Sequence, residues 1–458
     1  MSNQEFISAS EFCDLVTDGT HDSPKKTETG IKLVTSKNIV GGSLDLTSAY
    51  FISELDAINI NKRSQVHIND VLLSMIGTVG EVALIEKEPN FVIKNVGLLK
   101  NSDSKKAKWL YYYLKSPIAQ NLIKDRLRGT TQQYIPLSEL RNLPILKPKN
   151  EEHLQNAIEQ LSSLDEKIQL NTQINQTLEQ IAQALFKSWF VDFDPVRAKV
   201  QALSDGLSLE QAELAAMQAI SGKTPEELTA LSQAQPDRYA ELAETAKAFP
   251  YEMVEVDGGE VPKGWEVKSL PEIIDFLEGP GIRNWQYTDE EDGIKFINIR
   301  CIQNGDLTLT TANKITKEEA FGKYKHFQLE EDDIVVSTSG TLGRFAFVRK
   351  EHLPLSLNTS VIRFRPIKNK STLGFIAGFV ENQLQHELEI RASGSAQRNF
   401  GPTHLKQISL LVPNFKLLEL HQKYAFSLFE KRKQLLSEID ALKDTRDLLL
   451  PKLLNGEI

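Results

Sequence analysis

The sequence predicts an α+β fold: two β-rich modules joined by a long antiparallel two-helix coiled coil, with the two halves related as an internal repeat of approximate twofold symmetry. Three observations lead there. Blocks of the first half recur in the second at a steady offset of 263 residues, each copy runs through the same order of strand-like and helix-like segments, and each copy closes on a leucine-rich helical pattern.

The repeat is explicit. IKLVTSKNI (31–39) meets IKFINIRCI (294–302), GSLDLT (42–47) meets GDLTLT (305–310), DVLLS (70–74) meets DIVVS (333–337), and GTVG (77–80) meets GTLG (340–343). Asn95 meets Asn358 and Lys100 meets Arg363 in the same register; two residues further on, GTTQ (129–132) meets GSAQ (394–397) and Pro148 meets Pro413. Chance matches do not hold one register over so many blocks. This is duplication of a whole module, not a short-period solenoid.

Within each copy the elements follow from residue type. Runs of β-branched residues predict strands at Ile31–Ser36, Val71–Met75 and Val82–Ile85, and again at Ile294–Ile299, Ile334–Ser337 and Phe345–Val348. The Gly-Thr-x-Gly pairs interrupt these runs as tight turns. A helix follows at Lys106–Leu127 and Thr372–Arg391, then a short strand near Leu143–Leu146 and Ile408–Val412. Each copy ends in a long helix. The first carries Leu154, Ile158, Leu161, Leu164, Ile168, Ile174, Leu178, Ile181 and Leu185. The second carries Leu428, Leu435, Leu442 and Leu449 every seven residues, with Ala425 and Ile439 between them and Arg432 and Arg446 also on the seam. Each such helix is proline-free over about 35 to 40 residues, on the order of 50–60 Å long. Its apolar stripe needs a partner, and the nearest is its own duplicate. The resulting division is a first module at 1–150, a helical spacer at 151–193, an acidic linker with short helices at 194–260, punctuated by Pro195, Pro225, Pro236 and Pro250, a second module at 261–414 and a second spacer at 415–458.

Charge is distributed unevenly. Residues 200–260 hold twelve Asp/Glu and three Lys/Arg, which accounts for the whole net charge of -9. Residues 94–149 hold twelve Lys/Arg and three Asp/Glu, and residues 340–413 hold ten and four. Two basic segments flanking an acidic one have the electrostatic footprint of phosphate binding; solvated faces of differing sign are the plainer alternative.

Several function classes are disfavoured. The only two cysteines, Cys13 and Cys301, form no CxxC pair, and the eight histidines show no metal-ligand spacing, so neither a disulfide framework nor a metal site is expected. No signal peptide or membrane span is expected, which predicts a cytoplasmic protein without a membrane partner. There is no Asn/Asp-Pro-Pro-Tyr/Phe methyltransferase motif and no glycine-rich cofactor loop. Gly222-Lys-Thr224 imitates the end of a phosphate loop, but Met217 stands where the leading glycine belongs. Asp257 with Glu266-Val-Lys268 only faintly resembles a nuclease motif. No catalytic residue is assigned, and no cofactor is expected on this chain.

Two basic readers at a fixed separation suggest a bipartite site on double-stranded DNA, since one helical turn separates half-sites by roughly 34 Å. The copies have diverged between their matching blocks, so the halves should differ and the target should be gapped and asymmetric. Thr17-Asp-Gly-Thr-His21, the two Gly-Thr-x-Gly turns, Leu185-Phe-Lys-Ser-Trp-Phe-Val-Asp-Phe-Asp-Pro-Val-Arg197 and Pro262-Lys-Gly-Trp265 occur in order on the duplication. With them the chain resembles, over its full length, the specificity subunit of type I restriction-modification enzymes; its first module starts directly at Ile7-Ser-Ala-Ser, without the Pro-Lys-Gly-Trp opening. The resemblance implies two target-recognition domains and a non-enzymatic role. It also implies a complex with two adenine-N6 methyltransferase subunits, which use S-adenosylmethionine, and endonuclease-translocase subunits, which use ATP and Mg. The long helices would be the dock for the methyltransferase subunits.

Base edges are read by Arg, Lys, Asn and Gln, and phosphates by Arg, Lys, hydroxyls and backbone N–H groups. The matched loops supply the DNA-binding candidates: Lys37 and Asn38 with Arg300; Gly77 and Thr78 with Gly340, Thr341 and Arg344; and Arg128, Thr130, Thr131, Gln132 and Gln133 with Ser393, Ser395, Gln397 and Arg398. The Gly-Thr-x-Gly turns serve equally well as hairpin corners needing positive φ. Tyr111-Tyr-Tyr113 suits a core or domain seam better than base stacking. Two rival readings are the recognition half of a fused methyltransferase-endonuclease, and a coiled-coil scaffold without DNA binding.

Overall fold

The computed structural model describes residues 5–257, 259–339, 343–391 and 400–458. They form two compact units: 1–171 together with 438–458, and 172–437.

Each unit is built on a four-stranded antiparallel sheet. In the first the order is Leu15–Asp18, Val96–Lys100, Val71–Ser74, Val82–Leu84; in the second it is Ile274–Glu278, Val361–Pro366, Ile334–Ser337, Phe345–Phe347. A smaller three-stranded sheet lies beside each. Ile31–Val34 is flanked by Tyr50–Ile52 and, in parallel, Phe91–Ile93; Ile294–Ile297 is flanked by Lys314–Ile315 and, in parallel, Leu355–Leu357. A two-stranded ribbon joins Phe6–Ser8 to Pro144–Leu146 and Glu266–Ser269 to Ser409–Val412. The duplication therefore extends to strand order and direction. Val71–Ser74 and Ile334–Ser337 are buried at every residue, which is why they read as continuous apolar runs without alternation.

The expected strands are present; Ile334–Ser337 has the expected bounds, the two short strands Pro144–Leu146 and Ser409–Val412 start one residue late, and the others end one or two residues early. Phe91–Ile93, Val96–Lys100, Leu355–Leu357 and Val361–Pro366, beyond the expected strand that follows each Gly-Thr-x-Gly turn, were not among those expected, nor were Leu15–Asp18 and Ile274–Glu278. The helix expected over Lys106–Leu127 is two helices, Ser104–Lys115 and Pro117–Lys124, broken where Ser116 caps the second and Pro117 opens it. Its counterpart is unbroken but loosens into a π-turn at Val380–Leu384.

The long helices run Glu151–Phe190 and Phe415–Asn455. The second continues through Pro451, contrary to the expected absence of proline. In the first unit Leu154, Ala157, Ile158 and Leu161 share a core with Leu450, Leu453 and Leu454. Arg446 meets Asp165 at 2.8 Å, and Lys167 meets Glu438 at 3.5 Å. In the second unit Phe186, Trp189 and Phe190 enclose His421, and Glu179 lies 3.6 Å from Arg432. Residue numbers rise on one helix as they fall on the other, so within each unit the pairing is antiparallel. The heptad leucines do not all form the seam: Leu435 is buried, Leu428, Leu442 and Leu449 are half-buried, and Phe429, Ile439 and Leu450 complete it. Ile174 and Ile181 of the first helix are exposed.

Arg432 is buried on the seam because it is paired. Its Nη1 donates to Glu381 Oε1 at 2.7 Å, and the guanidinium lies over the rings of Phe347 and Phe429 at 5.6 and 5.7 Å.

Residues 194–260 are more than a linker with surface helices. Asp194–Ser204, Leu209–Ser221, Pro225–Ala234 and Pro236–Ala248 bury a small core of Ala216, Met217, Leu228, Leu242 and Ala246. Three of the punctuating prolines, Pro195, Pro225 and Pro236, open helices. Lys199 is fully buried, donating to the Phe249 carbonyl at 2.7 Å with its ammonium 3.7 Å from the Tyr251 ring; burial pulls its pKa down to about 8. A hairpin, Met253–Val256 with Gly259–Pro262, leads into Trp265, which packs on Phe190 and Phe193.

Candidate nucleic-acid interface

In the first unit the candidate loops gather at one end of the four-stranded sheet, and in the second Arg344 and Phe400 lie at the corresponding end. In the first, Gly19 N–H donates to the Val96 carbonyl at 2.9 Å and Asn95 N–H to the Thr20 carbonyl at 3.1 Å. Ser36 Oγ donates to the Asn95 carbonyl at 3.2 Å and accepts from Ile76 N–H at 3.4 Å. Ile135 N–H reaches the Met75 carbonyl at 3.0 Å, and Gly77 N–H reaches the Gln133 carbonyl at 3.1 Å. The His21, Lys37, Gly77 and Arg128–Gln133 loops are thus tied into one surface.

The second unit repeats two of these bonds, Gly279 N–H to the Val361 carbonyl at 3.1 Å and Phe400 N–H to the Thr338 carbonyl at 2.9 Å, with Thr338 N–H donating to the Ser360 carbonyl at 3.0 Å. The serines closing the turns also correspond: Ser74 Oγ accepts from Glu81 N–H at 2.8 Å, and Ser337 Oγ accepts from Arg344 N–H at 3.0 Å. The first strand of each sheet leaves through a glycine with no room for a Cβ. At Gly19 it would lie 2.4 Å from the Ile93 carbonyl oxygen, and at Gly279 it would lie 2.2 Å from that of Asn358. An asparagine holds the following loop in each unit, but from different positions: Asn95 Oδ1 sits 2.8 Å from His21 Nδ1, whereas Asn358, which takes the place of Ile93 opposite the glycine, accepts at Oδ1 from Ile282 N–H at 3.1 Å.

The candidates fare differently. Lys37, Gly77, Thr78, Arg128, Thr130, Thr131, Gln132, Gln133, Arg300 and Arg344 are exposed. Arg128 and Tyr134 exchange both backbone hydrogen bonds, at 2.8 and 2.9 Å, so the residues between them project as a closed loop. Arg128 is partly neutralised by Glu139 at 2.9 Å. Asn38 is a correction. It is only 4% exposed, its Oδ1 accepts from Thr35 N–H at 2.8 Å, and its Nδ2 donates to the Asp45 carbonyl and Ser48 Oγ at 3.2 and 3.0 Å. Its amide is committed to holding the Lys37 turn and has nothing left to offer a base. Gly340, Thr341, Ser393, Ser395, Gln397 and Arg398 lie outside the described residues.

Gly77, Gly80 and Gly343 adopt φ of 81°, 99° and 74°, so these positions are hairpin corners in the left-handed region, whatever else the turns do. Gly80 also accepts from Gln120 Nε2 at 2.9 Å. Tyr111, Tyr112 and Tyr113 are buried; Tyr111 donates to the Gly42 carbonyl at 3.2 Å and Tyr113 to the Pro144 carbonyl at 2.7 Å, so none is free to stack on a base. Cys13 and Cys301 are both buried, and burial pushes the Cys13 thiol up to about 12. Among the described residues no cluster of three His, Cys, Asp or Glu is placed to hold a metal ion, and no helix is long and apolar enough to cross a membrane.

Sequence reasoning registered the repeat of Asn95 at Asn358 and the Thr17–His21 segment without assigning either to the loop surface. The signal available was a glycine after the first strand of each sheet, Gly19 and Gly279, at an offset of 260 rather than 263.

Comparison with known proteins finds one family over both modules. Residues 1–180 and 262–431 match the family model of the type I restriction modification DNA specificity domain, once per module. The HindI specificity subunit of Haemophilus influenzae is 45% identical over 345 residues, covering 74% of this chain and 73% of that protein. The MjaIX specificity subunit of Methanocaldococcus jannaschii is 24% identical over 396 residues, covering 85% and 77%. The crystal structure of the S subunit from M. genitalium aligns over 99% of this chain and 97% of its own, at 19% identity and a TM-score of 0.49. With two matched domains and a relative of this identity over most of its length, the chain belongs to the family of type I restriction-modification specificity subunits.

Proposed function

We propose that this subunit reads a bipartite, gapped and asymmetric sequence in double-stranded DNA, one half through each module, and performs no chemistry itself. Two adenine-N6 methyltransferase subunits dock on the long helices and bring S-adenosylmethionine; ATP-dependent endonuclease-translocase subunits, with Mg, complete a cytoplasmic complex. One observation carries the reading. Corresponding hydrogen bonds close the loop end of both sheets, while residues carried there differ between the copies: exposed Lys37 against exposed Arg300, Glu81 against Arg344 after the matching turns, and, in sequence, Arg128-Gly-Thr-Thr-Gln-Gln133 against Ser393-Gly-Ser-Ala-Gln-Arg398. A common scaffold with unlike surfaces suits two unlike half-sites. The exposed Ile174 and Ile181 on the first long helix suit a docked partner.

The test is a module exchange. Residues 1–150 are replaced by the corresponding module of another family member, and DNA from cells carrying the full system is sequenced for adenine methylation. One half of the methylated motif should change and the other half should persist. A change in both halves, or in neither, contradicts the modular reading.

A further inference from the structure

The modules share a frame but differ in the loop leaving the first strand of the four-stranded sheet. Gly19 and Gly279 correspond at an offset of 260, whereas Ile31 and Ile294 correspond at 263, so the second loop is three residues longer. It contains a turn of 3-10 helix, Asn284–Gln286, and none occurs between Gly19 and Ile31.

This turn is held from both sides. Ile282 before it is buried with Ile294, Phe296, Ile315, Ala320 and Tyr324, and its N–H donates to Asn358 Oδ1 at 3.1 Å. Gln286 at its end is buried. Its Nε2 donates to Glu319 Oε1 at 2.8 Å and Tyr324 Oη at 2.9 Å, and its Oε1 accepts from Arg283 N–H at 3.1 Å. Between these anchors Arg283 and Asn284 are exposed and Trp285 is 79% exposed. A buried glutamine fixes the backbone while an indole, an amide and a guanidinium face water. Packing explains none of the three. A rigid turn with an outward aromatic anchor is preorganised for recognition, because little ordering entropy remains to be lost on binding. The partner's chemistry follows from the company. The loop springs from the same sheet end as the turns bearing Arg300 and Arg344, and Arg and Asn are the side chains that pair with phosphates, guanine and adenine edges.

We propose that the Arg283–Asn284–Trp285 turn is a specificity element of the second module alone. Trp285 packs against a base step of that half-site, Asn284 faces a base edge, and Arg283 takes a neighbouring phosphate. This rests on the reading of the chain as a DNA specificity subunit.

The test uses the complex with its methyltransferase subunits and a duplex library carrying single-base changes across the methylated motif. W285A should weaken binding to the intact motif roughly ten-fold, as loss of one base-stacking contact does. It should flatten discrimination at one or two positions of the second half, leave the first half unchanged, and keep the wild-type melting temperature. R283A should weaken binding to all sequences alike and lower the slope of log K against log salt by about one. Q286A, which frees the turn, should blur the same positions as W285A. A wild-type complex that discriminates both halves while W285A matches it in affinity and pattern overturns the proposal and leaves the specificity reading standing. W285A that keeps DNA binding but releases a methyltransferase subunit makes the turn a protein contact and also overturns it. A wild-type complex that discriminates no sequence overturns the specificity reading, and this proposal with it.

Discussion

Replacing His421 with leucine should make the second unit less sensitive to acid. His421 sits among Phe190, Trp189 and Phe186, with ring centroids 4.8, 5.4 and 6.5 Å away, and neither of its nitrogens has a hydrogen-bond partner. Burial alone lowers its pKa from 6.5 to about 3, so the folded state holds the ring neutral. Between those values the unfolded chain binds a proton that the folded chain refuses. The stability associated with the neutral ring is therefore complete above pH 6.5 and is lost progressively down to about pH 3. From pH 7 to pH 5 this one group removes about 2 kcal/mol. Leucine cannot be protonated, and it also removes two unpaired buried nitrogens, so the variant should be no less stable at pH 7 and on the order of 1 kcal/mol more stable if they are costly. Urea denaturation followed by tryptophan fluorescence reports the change, because Trp189 packs directly on the ring. Wild type and H421L carry the same other titrating groups, so the difference between their pH dependences isolates the histidine. Equal loss of stability in the two proteins between pH 7 and pH 5 would refute the reasoning.

Further outcomes follow from the charged residues. Arg432→Met should destabilise the second unit by roughly 3–5 kcal/mol, because it strands Glu381, whose fully buried carboxyl is already pushed up to about 7 by burial. R432M/E381L should recover most of that loss in a urea titration. Lys37→Ala should weaken DNA binding by the complex and lower its salt slope by about one. Arg128→Ala should do less, since Glu139 stands 2.9 Å away, and Glu139→Gln should strengthen binding in the same titration.

Much of the fold was legible because duplication checks itself. A strand read at Val71–Met75 was supported by the one at Ile334–Ser337, and agreement in register made each reading firmer than either segment alone. Strands escaped notice where their identity depends on pairing across the chain. Phe91–Ile93 is three residues long and becomes a strand only beside Ile31–Val34, a parallel partner about sixty residues earlier. The Ser104–Lys124 region reads as one helix because its apolar periodicity crosses Pro117, although Ser116-Pro117 is itself a cap-and-start pair that marks the break. The loop surface was partly legible. Lys37, Arg128 and Arg344, chosen from the matched loops, are exposed. Sequence could not distinguish Asn38 from Lys37, because adjacent residues on a turn face opposite ways and only the positions of Asp45 and Ser48 show which side chain is spent inside. Trp285 was missed for the opposite reason. It lies in the stretch that the repeat does not cover, and an isolated tryptophan ordinarily reads as core.

The closing of the first unit by Leu450, Leu453 and Leu454 has a consequence during synthesis. His153 Nε2 meets the Leu453 carbonyl at 2.6 Å across 300 residues of chain. While the ribosome makes the whole second unit, the N-terminal module waits with Leu154, Ala157, Ile158 and Leu161 uncovered. Its maturation is then gated by the last turns of the second long helix, and a sticky nascent surface persists for the interval. A premature stop shortly before Leu450 would spare the unit nearest the lesion in sequence and injure the one translated first.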